Sequence, residues 1–253
     1  MLSVESLQQS LAQTAAALPA QHVPLELACG LILAEPLHAA NDEPPFDRSA
    51  MDGFAVPEDS VPGDFEIIGE CLPGEMPSVR PKRGQALRVF TGSALPPKVR
   101  VVMQESSTPK GTKVGILSTD GPSHVRLRAC AARRGDILLP SGTRLTPVCV
   151  AILASAGCTH PRVIPRPKVA SLTTGSEVVP YSATPEKGQI RNTNAPLLRA
   201  LVEQYGGVFL THTHVGESLN EGLETCRTSL FEEADLLLVS GGASGGAHDH
   251  SAE

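Results

Sequence analysis

The sequence contains no tryptophan and only two tyrosines among 253 residues, so a ligand site built on aromatic stacking is not expected. It also lacks an excess of positive charge. The formal net charge is −6, and no lysine or arginine cluster indicates a nucleic-acid surface. No apolar run approaches the roughly 20 residues of a membrane span, and the N-terminus carries no apolar signal core. These absences predict a cytoplasmic protein that binds neither nucleic acid nor membrane.

The six cysteines form no C-x-x-C pair. They are Cys29, Cys71, Cys130, Cys149, Cys158 and Cys226. This scattering is typical of buried thiols in a reducing compartment, and it disfavours a disulfide framework or a zinc ribbon. A chain of this length accommodates two or three compact units, each with its own core.

The N-terminal pattern is helical. Ser3 is a candidate N-cap, and the following apolar residues fall on one helical face. Those residues are Val4, Leu7, Leu11, Ala15 and Leu18. Pro24 ends this pattern, and residues 25–33 predict a second, shorter helix. Further along the chain, Thr146 and Pro147 predict the start of another helix, which ends before Gly157.

From residue 54 to about 131 the pattern changes to short strands separated by Pro/Gly turns, which predicts a small barrel or sandwich. The predicted strands cover residues 65–70, 85–90, 100–105, 113–117 and 125–130, and a further strand begins at Phe54.

The third region begins near Pro165 and alternates strands with helices. The predicted strands cover residues 169–172, 208–210 and 234–239, and the predicted helices cover 193–205 and about 219–231. This alternation predicts a parallel sheet with right-handed crossovers. Ligands of such sheets bind outside the carboxyl ends of the strands.

Two polar, glycine-containing loops follow the first and third of these strands, at residues 173–177 and 240–246. Neither contains the Walker A or the G-x-G-x-x-G pattern. Glycines allow backbone amides to approach an anion, and hydroxyl groups add further donors. The loops are therefore either an anion site or plain tight turns.

The densest local pattern is PPFDRSAMDGFAV at residues 44–56. The prolines predict an extended entry, and Asp52-Gly53 predicts a turn into the strand that begins at Phe54. The carboxylates in this run belong either to a solvated turn or to a functional site. Similarly, Thr91-Gly92 is either a turn or a polar strand end that faces a ligand.

The run at residues 44–56 resembles the signature of the molybdopterin molybdenumtransferase family, whose members insert molybdenum into molybdopterin and include the C-terminal half of gephyrin. The resemblance extends over about residues 25–249. It recurs in VFTGSALP (followed by VVMQE), TTGSE, GQIRNTN and SGGASGG, at residues 89–96, 173–177, 188–194 and 240–246.

The resemblance implies a multi-domain α+β fold. Residues 1–45 and 132–164 correspond to an elongated linker domain of helices and strands, and residues 46–131 to a small all-β domain. Residues 165–253 correspond to an incomplete three-layer α/β molybdopterin-binding domain. The family also implies a homodimer with sites across subunits, and the pathway's molybdopterin adenylyltransferase as a further partner.

The resemblance implies transfer of molybdate to the dithiolene of adenylylated molybdopterin, with Mg²⁺ required and AMP released. Carboxylates at matching functional positions are Asp52, Glu177 and Asp249, and Asp249 and Glu177 are the expected Mg²⁺ ligands. The residues expected to bind the pterin or its phosphate are Thr91, Thr174, Gly175, Ser240, Gly241, Gly242 and Ser244.

Three features depart from the family pattern. A usually acidic position falls on Ala131, with Asp136 as a substitute after a local shift, and a further family acid has Glu217 as its nearest counterpart. The family also continues beyond Glu253 into the elements associated with molybdate. We therefore expect a fragment or a truncated member. The alternative to the enzyme is a molybdopterin-binding or scaffold module that lacks the molybdate site.

Two histidine pairs, His212/His214 and His248/His250, invite a metal site. Histidines at the end of a strand are expected to point to opposite faces. The sequence therefore does not predict a transition-metal centre.

Overall fold

The computed structural model describes residues 3–216, 224 and 232–241. Within this part of the chain the α-helices are α1 (Val4–Thr14), α2 (Pro147–Ser155) and α3 (Asn194–Gln204), and 3-10 turns cover Leu25–Leu27 and Gln104–Ser106. The strands are β1 (Gln21–His22), β2 (Ile32–Leu33), β3 (Leu37–His38), β4 (Arg48–Ser49), β5 (Gly53–Pro57), β6 (Gly63–Cys71), β7 (Gln85–Val89), β8 (Val99–Met103), β9 (Ser107–Lys110), β10 (Lys113–Ile116), β11 (Val125–Arg126), β12 (Ile137–Leu139), β13 (Arg162–Ile164), β14 (Lys168–Thr174), β15 (Val178–Val179), β16 (Ile190–Arg191), β17 (Val208–Val215) and β18 (Leu236–Ser240).

The chain divides into two compact units. One comprises residues 1–34, 144–147 and 160–253, and the other comprises residues 35–143 and 148–159. The fold is mixed α+β, as predicted. The finer three-domain layout stays a prediction.

The second unit contains a six-stranded sheet in the order β8-β5-β7-β6-β10-β9. Strand β5 alternates between two buried clusters, with Phe54 and Val56 in one and Ala55 in the other. Burial on both faces explains why the strand reads as a continuous apolar run. The predicted strands in this region are present, although the one predicted over 125–130 is limited to β11, and β9 was not predicted.

The prediction of a helix over residues 25–33 is wrong. A single 3-10 turn covers Leu25–Leu27, and the chain then enters β2, which pairs with β13. Gly30 lies between them with φ +83°, a left-handed conformation that ends the turn and redirects the chain.

Helix α1 begins as predicted, because the Ser3 side chain accepts a hydrogen bond from the Ser6 amide at 3.2 Å. It ends at Thr14, so the predicted continuation to Ala15 and Leu18 is wrong. The prediction of buried cysteines is also wrong at two positions, because Cys29 and Cys130 are exposed whereas Cys71 and Cys149 are buried.

The first unit contains the predicted parallel sheet, in the order β17-β14-β18. Helix α3 packs on β14 and β17. Strand β17 is longer than predicted, because its polar second half pairs with β14, where Ser171 is opposite His212 and Thr173 is opposite His214. The helix predicted over residues 219–231 lies outside the described residues, except for Glu224.

Among the described residues, none of the helices has both the length and the hydropathy that a membrane span requires.

Candidate functional site

The two predicted anion loops begin at the same edge of the parallel sheet. Thr173 at the end of β14 is paired with Ser240 at the end of β18. Gly241 then passes directly beside Thr174: a Cβ built on Gly241 would lie 2.8 Å from the Thr174 carbonyl oxygen. Gly241 has φ +108°, which together with this close approach requires glycine. The structure thus brings Thr174, Gly175, Ser240 and Gly241 to one edge.

The Glu177 carboxylate folds back over Gly175. A Cβ on Gly175 would lie 2.7 Å from Glu177 Oε2, and Gly175 has φ +131°. The Glu177 carbonyl accepts a hydrogen bond from the Ile190 amide at 2.9 Å, where β15 and β16 pair in parallel. Glu177 is exposed, so its carboxylate is available to solvent or to a ligand next to the loop.

Two asparagines from the GQIRNTN segment, which are not among the predicted site residues, reach the same edge. Asn194 Nδ2 donates to Ser240 Oγ at 2.7 Å, and Asn192 Nδ2 donates to Thr173 Oγ1 at 2.9 Å. Asn192 Oδ1 accepts the Ala195 amide at 3.0 Å in the first turn of α3. The family resemblance of this segment was the signal that could have identified them.

The expectation for His212 and His214 is wrong. Residues two apart on a strand share a face, because side chains alternate with a period of two. Thr173 Oγ1 lies 3.3 Å from His212 Nε2 and 3.0 Å from His214 Nδ1, and Ser171 Oγ lies 2.9 Å from His212 Nδ1. Burial, and secondarily the neighbouring His214, lowers the pKa of His212 below its usual value, and a hydrogen bond to the Ser171 backbone opposes this shift.

Asp52 lies in the other unit, at the turn before β5, and is exposed. Its Oδ1 accepts the Thr91 amide at 2.7 Å and the Thr91 hydroxyl at 2.8 Å. These bonds, first the amide and then the hydroxyl, lower the pKa of Asp52, with a smaller contribution from Arg88. Asp52 is therefore ionised at neutral pH.

Two buried serines fix the turn that carries Thr91. Ser93 Oγ donates to the Cys71 carbonyl at 2.7 Å and accepts the Phe90 amide at 3.1 Å. The Ser49 carbonyl accepts the Gly92 amide at 2.8 Å, and the Ser49 amide donates to the Ser93 carbonyl at 2.9 Å. Thr91-Gly92 is therefore a turn, and the same turn presents an exposed threonine to Asp52.

Near Ala131, the position that is usually acidic in the family, the Asp42 carboxylate accepts hydrogen bonds from two arginines. Asp42 Oδ2 accepts Arg128 Nε at 2.6 Å, and Asp42 Oδ1 accepts the Arg134 amide at 2.9 Å. The Arg134 amide, followed by Arg128, lowers the pKa of Asp42. Asp136 Oδ2 accepts the Arg133 amide at 2.8 Å within its own turn, so this carboxylate is engaged locally.

Several predicted positions lie outside the described residues. They are Glu217, Gly242, Ser244, His248, Asp249 and His250. In the part of the chain that is described, no three or more His, Cys, Asp or Glu side chains are arranged to hold a metal ion. A cavity of about 310 Å³ beside Arg100 and His124 is lined by none of the predicted site residues.

Comparisons with known proteins identify two families along the chain. Residues 2–157 match "MoeA N-terminal region (domain I and II)", and residues 170–253 match "Probable molybdopterin binding domain". The edge formed by Thr174, Gly175, Ser240 and Gly241 lies within the second match.

Among curated proteins, the chain is similar to the molybdopterin molybdenumtransferase of Nostoc sp., with 36% identity over 244 residues that cover 90% of this chain and 54% of the relative. The enzyme of the same name from Staphylococcus epidermidis is 32% identical over 241 residues, which cover 92% of this chain and 57% of the relative. The chain therefore spans slightly more than half the length of these relatives.

Among solved structures, the chain is similar to the molybdopterin biosynthesis moeA protein from Pyrococcus horikoshii OT3. The TM-score is 0.80 at 30% identity, with 94% of this chain and 65% of the other covered. A second structure of the moeA protein from this organism gives a TM-score of 0.74 at 26% identity, with coverage of 96% and 64%.

Proposed function

The chain belongs to the MoeA family, and on that premise we propose that it acts in molybdenum cofactor biosynthesis as a molybdopterin molybdenumtransferase. The reaction transfers molybdate to the dithiolene of adenylylated molybdopterin and releases AMP. The observation that carries this proposal is the shared edge of β14 and β18, where Thr174 and Gly241 lie side by side. This edge lies in the segment that matches a molybdopterin-binding domain.

The chemistry of this edge suits a phosphorylated pterin. At Gly175 and Gly241 a side chain would collide with Glu177 and Thr174, so the two glycines let the loops pack closely at this edge. The hydroxyl groups of Thr174 and Ser240 provide neutral donors, and Asn194 holds the Ser240 hydroxyl in place. In the sequence, Gly242 and Ser244 follow Gly241. In this proposal these residues bind the phosphate and the pterin. Asp52, whose ionised carboxylate accepts the Thr91 amide in the other unit, is the remaining functional acid of the proposal.

The available donors fit Mg²⁺. This ion takes one or two carboxylates and fills its remaining positions with phosphate oxygens and water. Glu177 supplies an exposed carboxylate beside the loop, and Asp249 is the second carboxylate of the proposal. Mg²⁺ would neutralise phosphate charge when bound, while Glu177 and the loop amides orient the ligand.

The finer parts of the proposal come from the family. They are a cytoplasmic location, a homodimer, the adenylyltransferase of the pathway as a partner, and the three-domain layout with an all-β domain at residues 46–131. The second candidate function is a molybdopterin-binding module that does not transfer molybdate. The same edge supports it, because molybdopterin could bind there without the transfer step.

The proposal is tested by incubating the chain with adenylylated molybdopterin, Mg²⁺ and molybdate and measuring AMP. We expect molybdate-dependent AMP release, with a reduction of about tenfold or more in Glu177→Gln, because a carboxylate that contacts the metal or phosphate is lost. Glu186→Gln removes an exposed carboxylate nearby and should retain the wild-type rate. Molybdopterin binding without AMP release would favour the binding module, and absence of both would refute the proposed function.

A further inference from the structure

A cluster of polar side chains lies between β14, β17 and the start of α3. Its centre is Thr173, whose side-chain oxygen contacts His212, His214 and Asn192 at 3.3, 3.0 and 2.9 Å. We call Ser171, Thr173, Asn192, His212 and His214 the Thr173 cluster. Buried polar groups have to be paired, so these contacts restrict where each proton can reside.

The orientation of the Asn192 side-chain amide determines which nitrogen of the His212 ring carries the proton. Its Oδ1 accepts the Ala195 amide at 3.0 Å, and an amide N–H can only donate, so Asn192 Nδ2 faces Thr173 and His212. Nδ2 then donates one proton to Thr173 Oγ1 and directs its second toward His212 Nε2 at 3.4 Å. His212 Nε2 is therefore an acceptor, and its ring proton lies on Nδ1, where Ser171 Oγ accepts it at 2.9 Å.

The proton of the Thr173 hydroxyl determines which ring nitrogen of His214 is protonated. If Thr173 donated to His212 Nε2, it would compete with Asn192 for one lone pair. Each proton has its own acceptor only when Thr173 donates to His214 Nδ1 at 3.0 Å. The neutral imidazole of His214 then carries its proton on Nε2. Among the described residues, this nitrogen has no hydrogen-bond partner.

The position of His214 is at the ligand edge. It is the penultimate residue of β17, opposite Thr173, and the following Val215 is opposite Thr174. Ser240 is paired with Thr173 from the other side. His214 and Ser240 therefore flank the strand that leads into the Thr174–Gly175 loop.

We propose that His214 is a ligand-binding residue of this site, which accepts a hydrogen bond from Thr173 at Nδ1 and donates Nε2–H to an oxygen of bound molybdopterin. The inference rests on the proposed function and adds to it a neutral donor from β17. His212 and Asn192 are positioning residues, since they orient Thr173 and thereby the His214 ring.

Two variants separate the two ring nitrogens. In His214→Asn the side-chain amide lies near the position of Nδ1, so the Thr173 contact is kept and the distal donor is lost. In His214→Gln the amide reaches the position of Nε2, so the distal donor is kept. Molybdopterin binding is measured anaerobically by equilibrium dialysis. We expect about a threefold to tenfold loss of affinity in His214→Asn, the worth of one hydrogen bond, and a smaller loss in His214→Gln.

The proton assignment is tested by ¹⁵N NMR of the imidazoles in the unliganded wild-type chain, where we expect His212 protonated on Nδ1 and His214 on Nε2. Urea unfolding establishes that both variants are folded. A loss in His214→Gln equal to or larger than that in His214→Asn, unchanged affinity in both, or a proton on His214 Nδ1 would overturn the inference. If the wild-type chain does not bind molybdopterin, the proposed function fails first.

Discussion

Thr91 donates two hydrogen bonds to one oxygen of Asp52, from its amide at 2.7 Å and from its hydroxyl at 2.8 Å. Because both bonds favour the ionised carboxylate, they lower the pKa of Asp52. The contact joins the two segments of this unit that resemble the family, residues 44–56 and 89–96. As a result, the Asp52 carboxylate on this exposed turn is ionised and has a defined orientation.

Thr91→Val tests this relationship. The variant keeps the amide and removes the hydroxyl, so we expect the pKa of Asp52 to rise toward its usual value. A lowered folded-state pKa contributes stability above the unfolded value of about 3.9, and this contribution is lost as the pH falls through the folded-state pKa. Thr91→Val should therefore be less stable than wild type at pH 7, and the difference should vanish at the acid end. The measurements are ¹³C NMR titration of Asp52 and urea unfolding at several pH values.

Thr91→Ser is the matched control, because it retains the hydroxyl donor. It should keep the low pKa of Asp52. An unchanged Asp52 titration in Thr91→Val would show that the amide alone sets the pKa.

His212 predicts a second pH dependence of stability. Burial lowers its folded-state pKa below the unfolded value of about 6.5. Between these two pKa values the unfolded chain binds more protons than the folded chain. The contribution of His212 to the free energy of unfolding is therefore fully present above about pH 6.5 and decreases as the pH falls toward the folded-state pKa. We expect urea unfolding between pH 7.5 and 5.5 to show this decrease, and His212→Gln to show a smaller one. Parallel pH profiles for the two proteins would contradict the prediction.

Thr173 is the central acceptor and donor of its cluster and is only 2% exposed. Thr173→Val keeps the shape of the side chain but leaves Asn192 Nδ2 and His214 Nδ1 without their partner. We expect a loss of about 1–3 kcal/mol in the free energy of unfolding, the penalty for an unsatisfied buried polar group. Thr173→Ser keeps the hydroxyl and should lose only about 1 kcal/mol for the missing methyl group. The reverse order in urea unfolding would show that the methyl group matters more than the network.

Much of the sheet architecture could be predicted from the sequence because hydrophobic periodicity determines it. Strand β14 and helix α3 have strong apolar patterns, and the parallel pairing follows from their alternation. The helix predicted over residues 25–33 failed because one left-handed residue, Gly30, outweighed an apolar run. A short apolar run is compatible with either state, and the pairing of β2 with β13 decides it.

The site was predictable only where its geometry depends on the order of the strands. The loops after β14 and β18 could be placed at one edge by strand order alone. The partners of Thr173 could not, because His212 is 39 residues away and Asn192 is 19 residues away. The histidine pair could have been placed correctly on one face from the period of a strand alone. The positions of its ring protons follow only from the side chains that surround it.

Gly53, directly after Asp52, has no room for a side chain in the sheet of the second unit. A Cβ on Gly53 would overlap the Val102 carbonyl oxygen and lie 2.9 Å from its carbon. Gly53 is paired with Val89 on one side and Met103 on the other, so neither neighbour can withdraw without breaking the sheet. We expect Gly53→Ala to lower the free energy of unfolding by about 3 kcal/mol, at the upper end of the cost of overpacking.

Gly115→Ala is the matched control, because it also adds a methyl group to an interior strand of this sheet. Its Cβ would meet Asp64 Oδ1 at 3.1 Å and Lys110 Nζ at 3.5 Å, which are the ends of flexible, exposed side chains, so the loss should stay below about 1 kcal/mol. Equal losses in urea unfolding would contradict the steric argument. Since the Gln104 amide donates to the Asp52 carbonyl at 3.1 Å, displacing β8 should also move Asp52 away from Thr91. The pKa of Asp52 should therefore rise in Gly53→Ala and stay low in Gly115→Ala, which ties the packing of this strand to the charge of the carboxylate beside it.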